Sequence, residues 1–162
     1  MHERGSEFRG IRKCPTNKDN CMIKMVTPMD EIERMIEEEI RKSERDIIKK
    51  LSYIGESVIG EARKNGAYED QTGNLRSSVG YVILNNGKTV LENIQKSDRG
   101  TDRITGVQVA KDFIQEISER YKKDFVLIVV AGMDYAVYVE AMGLNVLSSS
   151  KLLAEAMTKR LL

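Results

Sequence analysis

The chain predicts an α+β fold, with a long N-terminal helix and further helices packed on a short, mainly antiparallel sheet. Three observations lead there. An apolar stripe of helical period runs over residues 32–62, an Asn85-Asn86-Gly87 turn separates two strand-like runs, and a β-branched run, Phe-Val-Leu-Ile-Val-Val-Ala, fills positions 125–131.

The first helix opens at Thr27-Pro28, with Thr27 suited to an N-cap and Pro28 to the first helical position, where a missing N–H costs nothing. Asp30, Glu31 and Glu33 complement the helix dipole. Ile32, Met35, Ile36, Ile40, Ile47, Ile48, Leu51, Ile54, Val58, Ile59 and Ala62 form the inward stripe, with a polar gap at Ser43 and Glu44 where the helix can bend. The helix ends at Asn65-Gly66. Straight, it measures roughly 55 Å at about 1.5 Å per residue, too long for one side of a domain this size, so part of it folds back or meets another subunit. Glu37, Glu38 and Glu39 precede Arg41 and Lys42, a pattern of i to i+4 pairs on a solvated face or of charges matched to a neighbour.

After a polar loop at 66–74, Leu75, Ser77, Val79, Tyr81 and Ile83 alternate with Arg76, Ser78 and Gly80, a period-two strand with one apolar face. The Asn-Gly turn suits a tight hairpin, and residues 89–95 return as its partner. Residues 97–106 read as an exposed, mobile connection. Val107, Ala110, Phe113, Ile114, Ile117 and Tyr121 then predict a second helix over 107–123. The run at 125–131 reads as a strand buried on both faces. Asp134 is placed to cap a short helix over 135–141, while Ala136-Val137-Tyr138-Val139 equally suits an extension of the sheet. Ser148, Ser149 and Ser150 offer N-cap hydroxyls for a last helix with Leu152, Leu153, Ala156 and Leu161 inward.

With 162 residues the chain matches one domain, able to bury about 70% of the surface it exposes when unfolded. Residues 25–162 form that domain. Residues 1–24, with six basic and three acidic side chains and no apolar period, read as a disordered basic leader or a start-site artefact, since Met22 and Met25 stand just before the first helix. The net charge of +1 gives nucleic-acid binding no support, and no apolar run approaches the roughly 20 residues of a membrane helix. Neither a membrane partner nor a secretory signal is expected, which places the protein in the cytoplasm of its host.

No catalytic, cofactor-binding or metal site is expected. Cys14, Cys21 and His2 are too few and too loosely spaced for structural zinc. Ser77-Ser78 lies in no nucleophile elbow, and His2 in a tail cannot serve it as a base. The scattered glycines make neither phosphate-binding spacing. Asp134 and Glu140 are read as a cap and a rim ion pair. Lys96, Arg99 and Arg103 cluster in one loop without interleaved aromatics, so any DNA contact would be weak backbone electrostatics. The competing class is a small cytoplasmic enzyme or nucleic-acid-binding regulator, to be told apart by a pocket of convergent titrating groups or one basic face.

Thr72-Gly73-Asn74-Leu75-Arg76-Ser77-Ser78 resembles the TG-x-L-x-x-S segment, and Tyr135-Ala136-Val137-Tyr138-Val139-Glu140 the YA-x-Y-V-E segment, of tail-component or neck proteins of long-tailed bacteriophages. The order of long helix, TG-x-L segment, variable middle, buried strand, YA-x-Y-V-E and last helix is also similar, over roughly residues 25–162. One departure stands out: the family follows the acid with Gly-Thr, whereas Glu140 is followed by Ala141-Met142-Gly143. The resemblance implies a non-enzymatic virion part, encoded by a phage or prophage. It would act in tail completion and head-tail joining as a ring of identical subunits that meets head-connector and tail-end proteins. It also implies assembly in the bacterial cytoplasm and residence in the virion neck or tail, with no small-molecule substrate. On that reading Thr72 and Gly73 shape the turn into the hairpin, Leu75, Tyr135, Tyr138 and Val139 pack the core under the YA-x-Y-V-E segment to which Ala136 also belongs, and Arg76 and Glu140 face a subunit boundary or are solvated or paired within one subunit.

Overall fold

The computed structural model describes residues 28–69 and 71–161. Thr27, the segment 1–24 and the readings placed on Cys14, Cys21 and His2 lie outside them. The chain divides into two compact units, with the break inside the first helix after Glu39.

Helix α1, Met29–Asn65, is one uninterrupted helix with Asp30 and Glu31 in its first turn and Arg63 and Lys64 in its last, charges that suit the dipole at both ends. In the first unit Arg34 bonds to Asp30 at 2.9 Å along the exposed surface. The expected inward stripe is buried only from Leu51 onward, through Ile54, Val58, Ile59 and Ala62. Met35, Ile36 and Ile40 are exposed.

The second unit contains α2 (Asn74–Ser77), β1 (Val79–Asn85), β2 (Lys88–Ile94), α3 (Ile104–Ser118), β3 (Phe125–Ala131), α4 (Ala136–Ala141) and α5 (Ser148–Leu161). This is the α+β architecture expected, and the sheet order β2-β1-β3 is antiparallel throughout. Asn86 and Gly87, at φ of 50° and 76°, turn β1 into β2 as the Asn-Gly pair requires. Val90 is the extra residue of a bulge, since Ile83 pairs with Leu91 and Leu84 with Thr89.

The central strand is β1, and it is buried on both faces. Val79, Tyr81 and Ile83 pack with Leu51, Ile59 and Ala62 of α1, while Val82 and Leu84 pack with Ile114 of α3 and Val130 of β3. Gly55 on α1 makes room for the Tyr81 ring, where a Cβ would sit 2.7 Å from its carbon atoms. The ring's hydroxyl reaches Glu56 at 2.9 Å.

Several expectations are corrected. Run 125–131 is an edge strand in which only Val130 is fully buried, because β1 and not β3 stands in the middle. Residues 74–77 are helical and the strand begins at Val79, since Ser77 and Ser78 return their hydroxyls to main-chain carbonyls within that turn. Helix α3 spans 104–118, and Tyr121 lies beyond it, 45% exposed. Residues 136–141 are helix and not sheet. On α5, Leu152 and Ala156 face outward and Ser150 inward, because the helix meets the body along Ser150, Leu153 and Ala154.

Candidate functional site

The polar segment at 72–78 is a clasp. Its backbone and side chains are used almost entirely within the chain. Gly73, at φ 77°, starts α2, and its outer side lies against the Arg99 carbonyl. The Thr72 carbonyl accepts from the Asp102 N–H at 3.0 Å. Asn74 is buried, accepts from the Gly106 N–H at 3.1 Å and donates to Asp102 at 3.4 Å. The Ser77 hydroxyl donates to the Gly73 carbonyl at 2.7 Å and accepts from the Ser97 N–H at 2.9 Å. The Ser78 carbonyl takes the Gly132 N–H just after β3.

The connection after β2, expected as an exposed loop to Gly106, is therefore pinned at 97, 102 and 106. Arg103 adds bonds to the Ser97 and Asp98 carbonyls. Asp102 receives Thr105 and Asn74 side-chain bonds and the Thr105 N–H, which hold its carboxyl below the usual range. Lys96 and Arg99 remain exposed.

Arg76 turns back onto α1. It donates to the carbonyls of Arg63 and Gly66, and its guanidinium lies 5.0 Å from the centre of the Tyr68 ring. A cation beside the last carbonyls of a helix complements their partial negative charge. Arg63 donates to the carbonyls of Val79 and Gln95 at 2.9 and 3.1 Å. Burial holds its pKa below the usual arginine value, against the pull of Glu56.

Glu140 secures the start of α5. Burial alone would push its carboxyl up, yet bonds from the Ser148 hydroxyl and the N–H groups of Leu147 and Val146, the last two at 2.7 and 2.8 Å, hold it below the ordinary glutamate value. Asn145, at φ 52°, takes the Ser149 N–H at 3.0 Å, so the free donors at this helix start find acceptors. The role expected of Glu140 was a rim ion pair; its contacts are those of a cap. The cap expected of Asp134 is absent from α4, whose N-cap is Tyr135 with no side-chain bond.

The two motif segments meet in a satellite core. Leu75 from the first packs with Ala136 and, at its margin, Val139 from the second, together with Tyr68 and Val146. Thr72, Gly73, Leu75, Tyr135 and Val139 also line a cavity of about 400 Å³ of mixed polar and apolar character. The tyrosines do not join the core as expected. Tyr135 is 40% and Tyr138 72% exposed, because α4 turns its Val137, Tyr138 and Met142 side outward.

Sequence reasoning missed a groove of about 710 Å³ between β3, α4 and α5, which includes Leu127, Val129, Val137, Ala141, Leu147 and Ala154 in its lining. It is mostly apolar. Its signal was present in the small residues Ala136, Ala141 and Ala154, which leave the space unfilled. Among the described residues no three His, Cys, Asp or Glu side chains converge as a metal site, and no helix is long and apolar enough to cross a membrane.

No protein-family model matches the chain, and no curated protein or solved structure is significantly similar to it.

Proposed function

We propose that this protein is a structural part of a phage or prophage virion, acting in tail completion and head-tail joining by assembling into a ring. One observation carries the reading: an apolar groove lies beside a short helix whose Val137, Tyr138 and Met142 are 73%, 72% and 67% exposed. Apolar side chains grouped in this way favour a protein partner. The motif segments support it from beneath. Leu75, Ala136 and Val139 share one small core, and Thr72, Gly73 and Asn74 lock the neighbouring loop, so the outer face is presented on a braced support. Arg76 and Glu140 brace the ends of α1 and α5, and their effect on a subunit boundary is through positioning. The proposed setting is the bacterial cytoplasm during assembly and then the neck or tail, with head-connector and tail-end proteins as partners.

Light scattering of the full chain, alone and mixed with the head-connector and tail-end proteins of its gene cluster, tests this. A ring or a stoichiometric complex is expected. A chain that stays monomeric and ignores both partners would remove the reading.

A further inference from the structure

We propose that Asn86, at the tip of the β1-β2 hairpin, is a self-modifying site: its side chain cyclises onto the Gly87 nitrogen and opens to aspartate or isoaspartate. This goes beyond the assembly reading and needs no partner but water. The chain holds two Asn-Gly pairs, Asn65-Gly66 and Asn86-Gly87. In sequence the two are equal, since a glycine lets its own nitrogen approach the preceding carboxamide with no side chain in the way. The structure separates them.

At Asn65-Gly66 the attacking nitrogen is already engaged. The Gly66 N–H donates to the Ala62 carbonyl at 3.2 Å in the last turn of α1, and a Cβ at Gly66 would sit 2.6 Å from the Tyr68 ring, so that side is shielded. The Asn65 carboxamide is drawn back to Glu61, one turn earlier. At Asn86-Gly87 both residues are exposed, and the Gly87 N–H has no acceptor among the described residues. In this two-residue hairpin Asn85 pairs with Lys88, and the Gly87 N–H between them is left out of the ladder.

The Asn86 carboxamide is also polarised. Its Oδ1 accepts from the Asp124 N–H at 3.3 Å, and its Nδ2 donates to the Asn85 Oδ1 at 2.9 Å. Negative charge gathers on Oδ1 when a nucleophile adds to the carbon beside it, and a fixed backbone N–H at that oxygen stabilises the charge as an oxyanion hole does.

Water is the only other reactant. Hydroxide takes the Gly87 amide proton, the nitrogen forms a bond to the Asn86 Cγ, and the Cγ–Nδ2 bond breaks. The departing nitrogen takes a proton from water and leaves as ammonia. A further water then opens the cyclic imide at one of its two carbonyls. One opening gives aspartate, which keeps the turn, because Asp-Gly suits a type I′ hairpin as Asn-Gly does and tolerates the φ of 50° at this position. The other gives isoaspartate, which routes the backbone through the side-chain carbon. The oxygen that received the Asp124 N–H then belongs to the main chain, and the added carbon disturbs the pairing of Asn85 with both Lys88 and Phe125. The Asn86 N–H also donates to the Asp124 carbonyl at 3.1 Å, so the change falls where the hairpin holds the start of β3.

The test incubates the folded full chain at mildly alkaline pH and maps its peptides by mass spectrometry over time, with an isoaspartyl methyltransferase to mark isoaspartate. Asn86 is expected to convert first, at least about tenfold faster than Asn65, the factor that one retained hydrogen bond is worth. In urea, where neither pair is held, the two rates should draw together. Asn86→Asp should melt as wild type does, whereas the isoaspartate fraction, separated by ion exchange, should lose amide protection at Lys88 and Asp124. A folded chain in which Asn65 converts as fast as Asn86, or in which Asn86 stays intact although it converts in urea, would overturn the proposal. An isoaspartate form whose hairpin amides are protected as in wild type would overturn its structural consequence.

Discussion

The Ser77 hydroxyl serves two backbone groups at once, donating to Gly73 and accepting from the buried Ser97 N–H. Ser77→Ala leaves that N–H without an acceptor, and the expected cost is about 1–3 kcal/mol in urea unfolding. Glu140 gives a prediction that depends on pH. Its folded pKa lies below the unfolded value, so its stabilisation is fully present above the ordinary glutamate range and is lost as pH falls through the depressed value. Glu140→Gln should therefore be less stable than wild type near neutrality, by about 0.5–2 kcal/mol as for other N-terminal caps. The gap should shrink as pH falls through the folded pKa. Parallel pH profiles of the two proteins that never converge would rule out the carboxylate as the cap.

At the level of elements, the clasp between 72–78 and the loop after β2 makes an unusual demand on glycine. Gly100, at φ 98°, has the backbone of Thr72 and Gly73 where its Cβ would stand, while Gly143, at φ 78°, has open space there. Gly143→Ala should cost only the left-handed backbone penalty, about 1–2 kcal/mol. Gly100→Ala adds a backbone clash and should cost clearly more, with thermal melts of the pair as the check. The hairpin and helix α1 were legible in the sequence because an Asn-Gly turn and a 3.6-period stripe are local signals. The place of β3 was not. Its apolar run is as continuous as that of a central strand, and the competing run Val82-Ile83-Leu84 in β1, which carries apolar residues to both faces, was the better indicator. The clasp was illegible for another reason. Asn74, Ser77 and Gly106 look like loop residues until partners as far as 32 positions away meet them. The motif residues Leu75, Ala136 and Val139 do share a core, but the outward turn of Tyr135 and Tyr138 depends on which side of α4 meets Val146, a tertiary fact.

Across the whole molecule, stability is unevenly distributed. Val79, Tyr81, Val82, Ile83 and Leu84 in β1 are fully buried between α1 and α3, whereas residues 29–40 of α1 have no fully buried side chain. Amide exchange follows local opening, and protection rises toward the global value only where opening must break the core. A short helical segment is marginal in water even at good propensity unless packing supports it. In the dilute full chain, amides 51–62 of α1 and those of β1 are expected to exchange slowest, and amides 29–40 near the rate of an open helix end. Raising the concentration until the chain associates should slow exchange at 136–142, where Val137, Tyr138 and Met142 are exposed, with β1 unchanged. Exchange at 136–142 that stays unchanged on association would place the interface elsewhere on the chain. Strong protection of 29–40 already at high dilution would overturn the uneven distribution of stability inferred from burial.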